Sequence, residues 1–117
     1  MIIYVLLGES EMTYEKLSDL LKVIADPSRL EILDLLSCGE LCACDLLTHF
    51  DFSQPTLSHH MKVLHDAGLI SYRKDGNKKM YQLNNEVLKE AGTYIGLIAR
   101  DNEACVCKSM DKGECVS

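Results

Sequence analysis

The sequence lacks the features that would place it in a membrane, on an export route or among enzymes. Its longest uninterrupted apolar run, Ile2 to Leu7, is far too short to span a bilayer, and no basic stretch precedes it as in a signal peptide. The chain has no glycine-rich phosphate-binding loop and no recognisable pairing of a nucleophile with a base. The length of 117 residues predicts a single domain. The absences predict a cytoplasmic protein that has no enzymatic activity and no contact with a membrane.

Cysteine, in contrast, is abundant, with six residues in a chain of 117. In the absence of an export signal, reduced thiols are expected rather than a disulfide framework. Cys42 and Cys44 form one C-x-C pair, and Cys105 and Cys107 form another. A disulfide across one intervening residue is sterically awkward, whereas both thiolates can turn toward one metal ion. The spacing therefore favours metal or redox chemistry.

The charge of the chain is unevenly distributed. The net charge is −6, yet the segment from Ser53 to Leu83 contains five basic residues and only two acidic ones. This basic segment on an acidic body favours one orientation toward a phosphate backbone. The alternative is that the basic residues from Arg73 to Lys79 only form a solvated turn.

Apolar residues recur at helical spacing in five segments, and capping residues suggest where the helices begin and end. Thr13 is expected to cap the first helix, Asp26 the second, with Pro27 at its first position, and Ser53 the fourth. The first helix is predicted to end at Asp26-Pro27, the second at Gly39 and the fourth at Gly68. The third helix is predicted to run from about Leu41 to His49, and the last from about Asn84 to Arg100.

Two β-prone runs, Leu69–Lys74 and Lys79–Leu83, flank an Asp-Gly turn, which is a strong hairpin signal. Ile70, Tyr72, Tyr81 and Leu83 are expected to share its buried face. A hairpin that follows two helices joined by a short turn is a wing. The predicted fold is therefore mainly α with a β-hairpin wing, a winged helix-turn-helix.

The last helix is apolar over so much of its circumference that it needs a partner on more than one side. A second copy of the chain is the simplest partner, so we expect a homodimer formed by the first and last helices. Residues 12–102 are predicted to form the domain. Residues 1–11 are expected to be an extension ahead of a natural start at Met12, the alternative being an N-terminal strand or arm. Residues 103–117 are expected to be a mobile tail.

Four segments carry a family resemblance: Ala25–Leu33, Glu40–Leu46, Ser53–Leu64 and Arg73–Lys78. They resemble the ArsR/SmtB family of winged-helix metal-sensing repressors, and the resemblance covers about Thr13 to Arg100. The string Glu-Leu-Cys-x-Cys-Asp-Leu is similar to the metal box of arsenical-resistance repressors. The resemblance implies a homodimer that binds the operator DNA of its own resistance operon and releases it when an inducer binds.

The same resemblance implies As(III) or Sb(III) as the inducer, held by Cys42 and Cys44, with no organic cofactor. Related repressors often have a further cysteine where this chain has Leu47. The His and Asp site that other members use for zinc, nickel or cobalt is missing, since no histidine follows His65. A third ligand is left open among the residues that follow: Cys38, Cys105, Cys107, Cys115, or a water or external thiol.

Residues i and i+2 of an α-helix lie about 200° apart around its axis. Cys42 and Cys44 therefore cannot share one ion while the first turn of the third helix stays helical. Inducer binding is therefore predicted to distort the start of this helix and to move the recognition helix that it supports.

The fourth helix is predicted to enter the major groove, and its start favours a phosphate. The wing is predicted to contact phosphates or the minor groove. The candidate DNA-binding residues are Ser53, Gln54, Thr56, Ser58, His59, Lys62, Arg73, Lys74, Lys78 and Lys79. For His60, an inward-facing position is an equal alternative.

Two other functions use the same cysteine pair. One is a cadmium- or lead-responsive repressor, and the other is a transcriptional regulator in which Cys42 and Cys44 respond to oxidation. The operator sequence, the preference among metals and the role of the last three cysteines do not follow from the sequence.

Overall fold

In the computed structural model of the chain, residues 12–99 are described, and they form five helices and a three-stranded sheet. In chain order the elements are α1 (Tyr14–Ile24), α2 (Pro27–Leu36), β1 (Leu41–Cys42), α3 (Ala43–His49), α4 (Gln54–Asp66), β2 (Ile70–Asp75), β3 (Lys78–Leu83) and α5 (Asn85–Ala99). The predicted winged helix-turn-helix is confirmed: α3 and α4 are the helix pair, and β2, β3 and their turn are the wing.

Three helices begin at the capping residues that the sequence predicted. The side chains of Thr13, Asp26 and Ser53 each accept a hydrogen bond from the backbone N–H three residues later, at 3.0, 3.1 and 3.4 Å. Each bond satisfies a donor that has no partner within its own helix. Short polar side chains therefore fix the starts of α1, α2 and α4.

The wing is an antiparallel hairpin with its turn at the predicted Asp-Gly position. Ile70 lies opposite Leu83 at its base, and Asp75 lies opposite Lys78 at its tip. The turn passes through Gly76, whose φ of 65° lies in the left-handed region that favours glycine. The Asp-Gly signal therefore located the wing correctly.

The predicted start of the third helix at Leu41 is wrong. Leu41 and Cys42 form the short strand β1, which pairs antiparallel with β3 so that Leu41 lies opposite Tyr81 and Cys42 opposite Met80. The outer edge of β3 presents backbone groups that need partners, and the chain entering α3 supplies them. The sheet order is β1-β3-β2, and α3 begins at Ala43.

The predicted buried face of the wing is only partly correct. Ile70 is buried, and Tyr81 and Leu83 are half-buried. Tyr72 is instead exposed, and its ring contacts the rings of His65 and Tyr81. The core ends at the base of the hairpin, because the tip extends beyond the helices that could cover it.

Two hydrophobic clusters hold the described residues together. The larger one joins α2, α3, α4 and the start of β2, and it includes the fully buried Ile32, Leu46 and Leu64. The smaller one joins α1 to α5 through Leu17 and Tyr94. The helix pair therefore packs on α2, whereas α1 and α5 form a second layer.

Several predictions concern parts of the chain outside the described residues. These are the extension at residues 1–11, the tail at residues 103–117 with Cys105, Cys107 and Cys115, and the end of the last helix at Arg100.

Candidate metal centre and nucleic-acid interface

Cys42 lies at the junction between β1 and α3, where it is the N-cap of the helix. The residue is buried, with only 5% of its surface exposed. The thiol donates to Oδ2 of Asp45 at 3.2 Å, and the Cys42 backbone N–H donates to the same oxygen at 3.1 Å. These two bonds hold the pKa of the Asp45 carboxyl below its ordinary value, the backbone bond contributing most. The first cysteine of the pair is thus buried and hydrogen-bonded.

The other two described cysteines are in a different environment. Cys44 lies in the first turn of α3 and is exposed, as is Cys38, and all three described thiols are free. Since Cys42 precedes the helix, the helical angle between Cys42 and Cys44 does not apply, and the argument based on it was wrong. Within residues 12–99, no three His, Cys, Asp or Glu side chains are grouped to hold a metal ion. The structure does not bring Cys38 together with the pair.

The segment containing Cys42 is attached to the wing by a salt bridge as well as by strand pairing. Arg73 of β2 donates from Nε and Nη2 to the two carboxylate oxygens of Glu40, both at 2.9 Å. Hydrogen bonding to the guanidinium lowers the pKa of Glu40 and raises that of Arg73. Glu40 immediately precedes β1. Its two parallel hydrogen bonds with Arg73 therefore lie next to the place where Leu41 and Cys42 pair with β3.

The predicted DNA-binding residues of α4 lie at the surface. Those exposed at the start of the helix and along it are Ser53, Gln54, Thr56, Ser58, His59 and Lys62. The ammonium group of Lys62 contacts Asp66 at 2.8 Å, one helical turn later. An exposed pair of this kind contributes little to stability, so Lys62 can exchange Asp66 for a phosphate at small cost.

The four basic residues of the wing, Arg73, Lys74, Lys78 and Lys79, are exposed as predicted, but their partners differ. Arg73 is engaged by Glu40, whereas the ammonium group of Lys79 lies 4.6 Å from the centre of the Tyr72 ring. A positive charge over an aromatic face is weakly stabilised. The wing therefore presents lysines to solvent while its arginine is held by a carboxylate.

His60 faces inward, which decides between the two alternatives left by the sequence. The Arg29 guanidinium donates from Nη1 to Nδ1 of His60 at 3.3 Å and from Nε to the Val23 carbonyl at 2.6 Å. The ring of Phe52 covers another side of the imidazole. This contact joins the first turn of α2 to the middle of α4, so Arg29 helps to position α4, the predicted recognition helix.

Three residues of the site were missed by sequence reasoning. Asp45 follows Cys42 by three residues, a capping-box spacing that would have indicated its role once Cys42 was known to be the N-cap. Glu40 and Arg29 carry no comparable signal, because their partners lie 33 and 31 residues further along the chain. Only the folded chain brings these groups together.

Comparison with known proteins agrees with this geometry. Residues 26–72, which span α2 to the start of the wing, match the family model "Bacterial regulatory protein, arsR family". The arsenical resistance operon repressor of Staphylococcus xylosus is 62% identical over 104 residues, which is 89% of this chain and all of that protein. The chain belongs to the arsR family.

Two further relatives of this arsR-family member extend the comparison. The arsenical resistance operon repressor of Staphylococcus aureus is 60% identical over 104 residues, which is 89% of this chain and all of that protein. An ArsR-like transcriptional regulator from Rhodococcus sp. RHA1 superposes with a TM-score of 0.67 at 25% identity, covering 74% of this chain and 82% of its own. The chain is thus a DNA-binding transcriptional regulator with a winged-helix fold, and it is not an enzyme.

Among residues 12–99, no helix combines the length and the apolar character needed to cross a bilayer.

Proposed function

We propose that this chain is a homodimeric cytoplasmic repressor of an arsenical-resistance operon, which releases its operator when As(III) or Sb(III) binds to Cys42 and Cys44. The observation that carries the proposal is the position of the cysteine pair. It links β1, which pairs with the wing, to α3, which packs against the recognition helix through the larger core cluster. Similarity to two staphylococcal arsenical resistance repressors supports the choice of inducer.

The donor set suits a soft ion. Thiolates are preferred by soft metals and metalloids, and both cysteines are free thiols. Cys44 is exposed, whereas Cys42 is buried against Asp45. To act together with Cys44, the Cys42 thiol loses its contact with Asp45 and turns out of the core. Each thiol then replaces one hydroxide of the inducer, and the thiol proton leaves with that hydroxide as water. Inducer binding therefore favours a state of the β1–α3 junction that differs from the one described here.

The described residues do not identify the third ligand of the inducer. Cys38 is exposed and four residues before Cys42, so a turn of the segment between them would bring it closer. The other sources are Cys105, Cys107 and Cys115, or a solvent molecule or external thiol. Two variants distinguish these sources, one that lacks Cys38 and one that lacks the last three cysteines. For each variant, the affinity and stoichiometry of arsenite binding are measured.

On the DNA side, we propose that α4 enters the major groove and that the wing follows the phosphate backbone. The exposed side chains of Gln54, Ser58 and His59 carry hydrogen-bonding groups suited to base edges or phosphates. The lysines of the wing supply the charge that a DNA backbone requires, although the chain as a whole is acidic.

A second copy of the chain would cover the apolar residues that α1 and α5 leave exposed. Leu21 is 38% exposed, Ile95 is 41% exposed and Ile98 is 64% exposed. A dimer formed through these helices carries two recognition helices and two wings, which suits an operator with two half-sites.

The proposal is tested by the anisotropy of a labelled operator duplex bound to the reduced protein. Arsenite, antimonite, cadmium, lead and zinc are each titrated under oxygen-free conditions, and peroxide is added in metal-free buffer. We expect release by arsenite and antimonite at the lowest concentrations and no release by zinc. Release by cadmium or lead alone, or by peroxide alone, would replace the proposed inducer with the corresponding alternative.

A further inference from the structure

The wing is the part of the DNA-binding surface most directly attached to the cysteine pair. Strand β1 consists of only two residues, and one of them is Cys42, paired opposite Met80 of the wing. No loop intervenes between the cysteine and the strand that carries Lys78 and Lys79. A displacement of the Cys42 backbone is therefore a displacement of the edge of the wing.

The salt bridge between Glu40 and Arg73 strengthens this attachment at a second point. Glu40 lies two residues before Cys42, and both of its carboxylate oxygens receive hydrogen bonds from Arg73. The side chains are 30% and 54% exposed, so the pair contributes little to the stability of the fold. Its geometry is nevertheless specific, because the planar guanidinium matches the carboxylate in one relative orientation. Such a contact fixes the relative position of Glu40 and Arg73 more than it adds to the stability of the fold.

We propose that Glu40 is a positioning residue that transmits the state of the cysteine pair to the wing through Arg73. The inference rests on the proposed function, in which Cys42 leaves its buried site when the inducer binds. Glu40 and β1 form one short stretch of chain, so they move with Cys42. Arg73, held at two points, draws β2 and the rest of the wing along.

Movement of the wing weakens operator binding because α4 and the wing contact the same duplex. The larger core cluster fixes α4 on α2 and α3 and includes Ile70 at the base of the wing, whereas the residues of the wing from Ser71 to Lys79 are exposed. A shift of the wing relative to α4 therefore breaks phosphate contacts on one side while α4 remains in its groove. The two arrangements of the wing are the two states between which the inducer selects.

The test compares the wild type with Glu40→Gln and with the matched control Glu31→Gln. Glu31 of α2 also forms an exposed pair, with His49 of α3 at 2.6 Å, and neither residue belongs to β1 or to the wing. For each protein, operator affinity is measured with and without saturating arsenite, and the ratio is the coupling factor. Arsenite affinity and stoichiometry are measured without DNA, and thermal unfolding checks the fold.

We expect Glu40→Gln to bind arsenite with wild-type stoichiometry and to bind the operator at least as tightly as the wild type. Its coupling factor is expected to fall by about 2- to 30-fold, the range seen for residues that transmit coupling. Arg73→Lys keeps the charge but loses the two-point contact, so its coupling should fall as well. Adding Glu40→Gln to Arg73→Lys should lower it no further.

Wild-type coupling in Glu40→Gln would overturn the inference, as would an equal loss of coupling in Glu31→Gln. An independent loss in the double variant would show that Glu40 does not act through Arg73. Failure of the proposed function looks different. In that case arsenite leaves the wild-type complex intact, or still releases a protein lacking Cys42 and Cys44, and the inference fails with it.

Discussion

Two aspartates hold the backbone at the starts of α2 and α3. Asp26 caps α2 and so fixes the turn from which Arg29 reaches His60 of the recognition helix. Asp45 holds the backbone and the thiol of Cys42 with one carboxylate oxygen. The Asp26 cap was predictable because it depends on neighbours in the sequence. The Asp45 contact was not, since it requires that α3 begins after Cys42.

Replacing Asp26 with Ala should lower the free energy of unfolding by about 1 kcal/mol, because the backbone N–H of Arg29 loses its acceptor. That hydrogen bond is the main reason why the pKa of Asp26 lies below its ordinary value. A lowered pKa in the folded state means that the contribution is present at neutral pH and is lost as the pH falls through that pKa. The difference between wild type and variant, measured by urea unfolding, should therefore shrink in acid.

Asp34→Ala is the matched control for this variant, since Asp34 lies exposed on the same helix. It should leave stability nearly unchanged at every pH. An Asp26→Ala variant as stable as Asp34→Ala at neutral pH would mean that the capping bond has no net effect.

Tyr94 presents the opposite case, a buried polar group without a partner. Its side chain is fully buried between α1 and α5, and its hydroxyl has no hydrogen-bond partner among the described residues. Burial raises the pKa of this hydroxyl.

Tyr94→Phe removes the unsatisfied group and keeps the ring, so the variant should be at least as stable as the wild type. Tyr94→Ala should lose about 3–5 kcal/mol by leaving a cavity. Marked destabilisation by Phe in thermal unfolding would show that the hydroxyl has a partner.

The helices and the wing could be predicted largely because their signals are local. Thr13, Asp26 and Ser53 act on backbone groups three residues away, and Asp75-Gly76 joins strands that are adjacent in the chain. Strand β1 could not be predicted, since its partner lies about forty residues later and two residues carry no periodic pattern. The exposure of Tyr72 was missed for a related reason, because it depends on where the helices stop covering the hairpin.

The wing carries a direct prediction about DNA binding. Replacing Lys78 and Lys79 with Gln should weaken binding to all DNA sequences alike, because phosphate contacts carry no sequence information. The magnitude of the slope of log affinity against log salt should fall by about 0.9 for each lost contact. Anisotropy titrations at several salt concentrations measure this slope.

Lys22→Gln with Lys89→Gln is a control that removes the same charge outside the predicted DNA interface, at exposed positions of α1 and α5, and its dimerisation is checked by sedimentation velocity. It should leave the salt slope almost unchanged. Equal slopes for the wing variant and the wild type would mean that these lysines do not contact the backbone.

At the scale of the whole molecule, the basic segment lies on α4 and the wing, while the exposed large apolar residues Leu21, Ile95 and Ile98 lie on α1 and α5. Two others, Leu30 of α2 and Tyr72 of the wing, are exposed elsewhere. The sequence predicted an apolar face on the last helix that needs a second partner. A monomer would leave that face in water, so we expect the second copy to be required for tight operator binding.

Replacing Ile95 with Lys should place a charge in the proposed dimer interface and shift the protein toward monomer in sedimentation velocity. Operator affinity should fall with it, since a monomer occupies only one half-site. Gln82→Lys adds the same charge on the exposed face of β3 and should remain a dimer. An Ile95→Lys protein that sediments as the wild type would place the interface elsewhere.

The link between the cysteine pair and the operator is tested most directly by a single measurement. The variant with Cys42→Ser and Cys44→Ser is bound to labelled operator, and its anisotropy is followed while arsenite is added. Serine is a good N-cap, so the variant should retain α3 and bind the operator. We predict that arsenite releases the wild type and leaves the variant bound at every concentration tested. Release of the variant at the wild-type arsenite concentration would contradict the account and place the sensing site elsewhere in the chain.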